Sequence, residues 1–317
     1  MSNPMFALVF PGQGSQTPGM MQGVAELAGV RETFDEATEV LGQDLWQMVE
    51  QGSQDTLNLT VNTQPVMLAA GVATWRAWRA MGGPLPAMMA GHSLGEYTAL
   101  VAAGALEFAD ALRLVRLRAQ LMQDAVPEGT GAMAAILGMD DDAVRGVCRD
   151  AAEDLVLEAV NYNADGQVVI AGNRLAVERA MLLAKERGAK RAVLLPVSVP
   201  SHCALMQPAA RVLADELEKV GIAVPIVPVL HNADVAVYGD AAAIRDALSR
   251  QLYSPVRWVE TVRAMGDAGI RLAGECGPGK VLAGLARRID ERVPTQALIS
   301  SDALRAFADN VNELLAA

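Results

Sequence analysis

Few residues in this chain could do chemistry. It holds three histidines, His92, His202 and His231, and three cysteines, Cys148, Cys203 and Cys276. One serine is distinguished by its neighbours. Ser93 lies in Gly91-His92-Ser93-Leu94-Gly95, the Gly-x-Ser-x-Gly spacing of a nucleophile elbow. A sharp strand-to-helix turn needs small residues on both sides of its serine, and Gly91 and Gly95 supply them. The flanks agree. Leu85-Pro86-Ala87-Met88-Met89 is a short apolar run, and Tyr97 to Ala103 has helix-forming composition. Ser93 then stands at a helix start, where free backbone N–H groups favour negative charge. An oxyanion formed by attack on a carbonyl would lie in that field.

A serine hydroxyl is a weak nucleophile until a base takes its proton. His92 adjoins Ser93, and adjacent side chains diverge on a sharp elbow. Its expected role is packing or hydrogen bonding beside the turn. His231 ends an apolar run in Leu230-His231-Asn232 and is expected to be structural. His202 lies in Pro200-Ser201-His202, a loop of the kind in which open α/β sheets gather catalytic groups. His202 is therefore the expected base. Cys203 beside it has no supporting motif and reads as a buried, inert thiol. A serine–histidine pair also needs a group orienting the second ring nitrogen. In α/β-hydrolases that group is an acid preceding a histidine near the C-terminus. Here His202 follows Ser93 by 109 residues, with more than a third of the chain still to come, and no His-Gly-Gly-Gly loop is present.

Arginine offers a second kind of site. Phe108 to Met122 has a helical pattern interrupted by Arg113, Arg116 and Arg118. Arg113 and Arg116 share a face, while Arg118 lies about 160° from Arg116. An inward Arg118 is costly unless an anion meets it. A surface or ion-paired arginine is the competing reading.

These residues need a scaffold. Met5-Phe6-Ala7-Leu8-Val9-Phe10 reads as a buried parallel strand running into the glycine-rich Pro11-Gly12-Gln13-Gly14-Ser15-Gln16. No Lys-Ser/Thr follows that loop and no Gly-x-Gly-x-x-Gly is completed, so a tight turn is favoured over a nucleotide site. Helical periodicity runs through Val30 to Leu41 and Thr63 to Met81, with Gln64-Pro65 as a helix start and Trp75 and Trp78 in the core. Val126 to Gly131 reads as a linker, after which the period changes. Strands are expected at Ala132–Leu137, Leu155–Val160, Val168–Ala171 and Ala192–Val197, with an Asn-rich turn between the middle two. Helices are expected at Asp140–Glu153 and Leu175–Arg187. That β-α-β-β-α-β order is the ferredoxin-like unit. Two domains are expected, an α/β body of residues 1–127 plus 198–317 and a small inserted unit of residues 128–197. Pro196 to His202 should return the chain to the body. There a helix at Ala204–Val220, a strand at Ile226–Leu230, helices at Ala241–Leu252 and 256–266, and a strand at Arg271–Glu275 lead through Gly277-Pro278-Gly279-Lys280 into a last helix. The fold class is α/β, a mainly parallel sheet flanked by helices.

Composition narrows the function further. The 317 residues are 52% hydrophobic and only 4% aromatic, which favours an α/β core of small aliphatic residues over a β-sandwich. A net charge of −11 without a basic tail argues against nucleic acid as a partner. Three scattered cysteines without Cys-x-x-Cys fit neither a disulfide framework nor a zinc ribbon. No apolar stretch approaches the ~20 residues of a membrane helix. The start, Met1-Ser2-Asn3-Pro4, lacks the basic region of a signal peptide, so a cytoplasmic protein is expected.

The motifs taken jointly carry a resemblance. Phe10-Pro11-Gly12-Gln13-Gly14-Ser15-Gln16, Gly91-His92-Ser93-Leu94-Gly95-Glu96-Tyr97, Arg118, Pro200-Ser201-His202 and Gly277-Pro278-Gly279-Lys280 resemble, in order and spacing, the malonyl-CoA:acyl carrier protein transacylases of bacterial type II fatty acid synthesis. The likeness runs from residue 5 to residue 292. Acyltransferase domains of polyketide synthases and malonate decarboxylase are similar to the same core. The resemblance implies Ser93 as the acyl-accepting nucleophile and His202 as its base. It implies an oxyanion hole from the backbone N–H groups of Gln13 and Leu94, and Arg118 as the partner of the malonyl carboxylate. It implies that Gln251 orients His202 through its backbone carbonyl. Malonyl-CoA and acyl carrier protein are the implied partners, with no metal or tightly held cofactor. A serine hydrolase and a non-catalytic carrier-binding subunit are the competing classes.

Overall fold

Five consecutive apolar residues form β1 (Phe6–Phe10), every one buried, as a strand covered on both faces must be. After it come α1 (Val30–Leu41), α2 (Leu45–Gln51), α3 (Gln54–Asn58) and the long α4 (Thr60–Ala80). Next are β2 (Met88–Gly91), α5 (Gly95–Ala102) and α6 (Phe108–Asp124). The computed structural model describes residues 5–197 and 199–316. The expected boundary at Ser198 and the start Met1-Ser2-Asn3-Pro4 lie outside the described residues.

The middle of the chain holds β3 (Gly131–Leu137), α7 (Asp141–Ala152), β4 (Leu157–Ala164), β5 (Gln167–Asn173), α8 (Arg174–Glu186) and β6 (Arg191–Leu194). Its strands make a separate antiparallel sheet in the order β4-β5-β3-β6, which is the ferredoxin-like order. Here α7 and α8 pack Val144, Val147, Val177 and Ala180 against Ala134, Ile136 and Ile170. The last part adds a 3₁₀ turn (Ala204–Met206), α9 (Gln207–Leu217), β7 (Val229–Leu230), α10 (Ala241–Gln251), α11 (Trp258–Asp267), β8 (Leu272–Glu275), α12 (Val281–Ile289), β9 (Thr295–Ala297) and α13 (Ser301–Ala316). The main sheet is parallel throughout, in the order β7-β2-β1-β8-β9. The molecule is thus α/β, a parallel sheet flanked by helices beside a smaller antiparallel sheet.

Several expectations need correction. The helix over Pro65 begins at Thr60, not at Gln64. Pro65 lies in its second turn, where its missing N–H forfeits one ladder bond. The strand expected at Ile226–Leu230 shrinks to two residues, because Pro225 and Pro228 cannot donate to a ladder. The helix after Lys280 is not the last, since β9 and α13 follow, and α13 buries Leu304, Phe307 and Val311.

The Asn-rich stretch is not a turn. Asn161-Tyr162-Asn163 continues β4, with register shifts against β5, and the chain reverses at Asp165-Gly166, where Gly166 has φ 70°. Asparagine is a poor strand former, so composition misplaced the turn. What holds the stretch extended is pairing on its other edge. Val256 donates to Val160 O at 2.8 Å and accepts from Tyr162 N–H at 3.0 Å.

Candidate active site

β2 ends at Gly91 and α5 begins at Gly95, so Ser93 occupies the turn between them. Its backbone is left-handed, φ 51°, a strained conformation for a residue with a side chain. The flanking glycines are sterically required. A Cβ on Gly91 would lie 1.8 Å from the carbonyl carbon of Gly95, and one on Gly95 would lie 2.0 Å from Phe10 O. The Asn232 side chain clamps the turn. It accepts from Ser93 N–H at 2.7 Å and donates to Gly91 O at 2.6 Å.

His202 approaches from the loop before the 3₁₀ turn, also with positive φ, 66°. Its backbone N–H is tied to Leu252 O at 2.9 Å. Nδ1 lies 2.8 Å from the backbone carbonyl of Gln251, which only a protonated nitrogen can satisfy. That leaves Nε2, 2.8 Å from Ser93 Oγ, to accept the hydroxyl proton. Burial, reinforced by the positive field of Arg118, pushes the imidazole down to about 3. It is therefore neutral at physiological pH and able to act as a base.

Arg118 does turn inward. It is 1% exposed, on the opposite face of α6 from the exposed Arg113. Nη1 donates to Gln64 Oε1 at 2.7 Å, and Nη2 donates to Gln251 Oε1 at 3.0 Å and to Ser93 Oγ at 3.3 Å. Nε has no partner among the described residues. Burial lowers the pKa of this guanidinium, and the nearby Tyr97 and Glu96 oppose that shift.

Ser93, His202 and Arg118 open together onto a cavity of about 120 Å³. Gln13 and Leu94 line it too, and no group among the described residues accepts from the backbone N–H of either. The loop carrying Gln13 sits against the elbow at Gly12, where a Cβ would lie 2.4 Å from His92 O. Gly277 packs on Pro11 and Gly279 on Ser15, so the second glycine-rich turn braces the first. Two free backbone donors and a buried cation beside a serine–histidine pair suit an acyl group that ends in a carboxylate.

The acyl transferase domain model matches residues 7–281. The malonyl CoA-acyl carrier protein transacylase of Escherichia coli (strain K12) is 55% identical over 302 residues, spanning 95% of this chain and 98% of that one. The chain belongs to the malonyl CoA-acyl carrier protein transacylase family. Among solved structures, an acyl carrier protein S-malonyltransferase from Vibrio cholerae is 54% identical with a TM-score of 0.93, covering 96% of this chain and 99% of the other. A malonyl-transacylase solved in complex with its type II PKS acyl-carrier protein is 52% identical with a TM-score of 0.95, over 96% and 99% of the two chains. This protein is an acyltransferase.

Further residues brace the transacylase site. Glu96, fully buried in the first turn of α5, accepts from His231 Nδ1 at 2.7 Å, and from Asn232 N–H and Gln251 Nε2 at 2.9 Å each. Gln251 Nε2 also donates to Ser93 O at 2.9 Å. His231 thus braces the elbow from behind. His92 packs edge-on against Trp258 and bonds Asn163 Oδ1 at 2.8 Å. Burial pushes the Cys203 thiol up to about 12, beyond use as a nucleophile at neutral pH. On the far wall stand Met133, Leu195, Val197 and Asn161, whose Oδ1 has no partner among the described residues.

Proposed function

We propose that this chain moves a malonyl group from malonyl-CoA to the phosphopantetheine thiol of acyl carrier protein, by ping-pong transfer through a malonyl ester on Ser93. The observation that carries the reading is one serine oxygen held 2.8 Å from a neutral imidazole and 3.3 Å from a buried guanidinium. His202 takes the Ser93 proton as Oγ attacks the thioester carbonyl. The N–H groups of Gln13 and Leu94 meet the oxyanion, and the coenzyme A thiol leaves with the proton from His202. The carrier thiol then attacks the ester, with His202 as base again. Arg118 pairs with the distal carboxylate bidentately, which a lysine could not do. An acyl group lacking that carboxylate leaves the guanidinium unpaired. Gln251 holds His202 through a neutral carbonyl in place of an acid. Asn161, which lines the cavity and whose buried Oδ1 has no partner among the described residues, would accept an amide N–H of the pantetheine arm through that oxygen.

The carrier protein's acidic surface needs a local basic one on this acidic chain. Lys185, Arg187, Lys190, Arg191, Arg287 and Arg288 are exposed candidates. Arg187 is already paired with Asp150 at 2.7 Å, which leaves it less available. The deciding experiment is intact-protein mass spectrometry after brief exposure to malonyl-CoA, then addition of holo carrier protein. One malonyl group should load on Ser93 and pass to the carrier. Rapid release of free malonate without a thiol would make the chain a hydrolase, and absence of loading would leave a carrier-binding subunit.

A further inference from the structure

Arg118 is a buried cation with no carboxylate in contact among the described residues. Its partners are two neutral amides, Gln64 and Gln251, and the Ser93 hydroxyl. A naked buried charge is expensive, so its balance must lie nearby. One amide away stands Glu96. Gln251 bridges the two, its Oε1 taking Arg118 Nη2 and its Nε2 donating to Glu96 Oε2. His231 donates to the other carboxylate oxygen, and its Nε2 has no partner among the described residues. Glu96 is thus the carboxylate joined to the guanidinium through a single side chain, near enough for its charge to act on Arg118.

We propose that Glu96 is the resident counter-charge of Arg118, set one amide away so that no carboxylate of the chain occupies the guanidinium fork while its pull on an incoming carboxylate is weakened. The inference rests on the reading of Arg118 as the carboxylate partner. A direct ion pair would occupy the fork. No counter-charge would make the fork grip any small dicarboxylate, free malonate included. That grip is equal in the thioester, the transition state and the serine ester, so tightening it slows release without speeding chemistry. Glu96 is a positioning residue in this account and touches no substrate.

Glu96→Gln separates charge from geometry. The glutamine oxygen can accept from Asn232 N–H and Gln251 Nε2, and its NH₂ can donate to His231 Nδ1 once that ring moves its proton to Nε2. The heavy-atom contacts can be kept as the charge is lost, with His231 Nε2–H and one amide N–H left without acceptors. The inhibition constant of free malonate should fall about fivefold or more, and the Michaelis constant for malonyl-CoA should fall with it, while that for acetyl-CoA does not. A merely structural role predicts the reverse, weaker malonate and higher Michaelis constants for both thioesters. Unchanged or weakened malonate inhibition overturns the proposal. Glu96→Asp covers a glutamine variant that does not fold. It keeps the charge but withdraws it by one methylene, so malonate should tighten about twofold, and failure to tighten again overturns the idea. Wild-type protein that never loads malonyl on Ser93 would instead overturn the reading beneath it.

Discussion

The two walls of the cavity are built by different means. The floor belongs to the parallel-sheet body and is mostly polar, with Leu94 and Met122 among its apolar members. Ser93, Arg118, His202 and Gln251 lie within a continuous set of hydrogen bonds that also takes in Glu96, His231 and Asn232. The roof comes from the antiparallel unit and its exit segment. It is mostly apolar, made by Met133, Leu195 and Val197, with Asn161 as its one amide. Side chains tied by several hydrogen bonds each are held in one position, so the floor sets the geometry of bond making. An apolar wall with one unpartnered acceptor makes few directional demands, which on the proposed reading would admit a thioester on coenzyme A or on a protein. Substitution of Ser93 or His202 should therefore change the chemical step, substitution of Arg118 or Glu96 the choice and grip of the acyl group, and roof substitutions the binding of what carries it.

The largest effect should come from the floor. His202→Ala should slow Ser93 acylation about 10²–10⁴-fold, read as the pre-steady-state rate of malonyl loading, with little change in malonyl-CoA affinity. Arg118→Ala comes next. It should cost malonyl loading about 2–4 kcal/mol, on the order of 10²-fold, and shift the acyl load toward acetyl when both thioesters compete. An unchanged acetyl-to-malonyl ratio would remove Arg118 from the substrate.

The floor should also show itself in pH dependence. His202 is pushed down to about 3, and burial lowers His92 as well, whereas both titrate near 6.5 in the unfolded chain. Between those values the unfolded chain binds more protons than the folded one, so stability rises with pH across the window. It is fully present above about pH 6.5 and lost as pH falls toward 3, by at most about 1.4 kcal/mol per pH unit for each histidine. His202→Gln should make the slope of melting temperature against pH shallower between pH 6.5 and 5. In the same range the loading rate of wild-type protein should show no ionisation near 6.5.

Roof changes should be smallest. Asn161→Leu should raise the Michaelis constants for malonyl-CoA and for carrier protein about three- to tenfold with little change in kcat. A larger fall in kcat than in affinity would erase the distinction between the walls. Reversing charge at Lys190 and Arg191 should raise only the carrier protein's constant, by a few-fold at low salt.

The elbow was legible because its demands are local. The Gly91 clash arises within the turn itself, and although Gly95 is forced by Phe10 from the neighbouring strand, the short spacing alone shows where the chain must turn sharply. Arg118 was half legible. Helical spacing put it on a different face from Arg116, but whether that face met solvent or a cavity depended on α4 and α10. The role of Gln251 entered through family resemblance alone, since a glutamine at a helix end has no signature. Glu96, Asn232 and the place of His231 were hidden for a physical reason: they meet across 135 residues or more of chain. Asn161 was misplaced because strand propensity is local, while Val256 supplies the pairing from elsewhere.

That pairing has a consequence for what can enter. Val256 follows by five positions the residue whose carbonyl steadies the imidazole, and its two rungs to Val160 and Tyr162 fasten the overhanging sheet to the same segment. Backbone rungs do not stretch, so the slot keeps a set gauge. A fixed gauge suits a flexible rod tipped with sulfur better than a wide, rigid group. Slender inhibitors should therefore reach the serine more readily than bulky ones of the same charge.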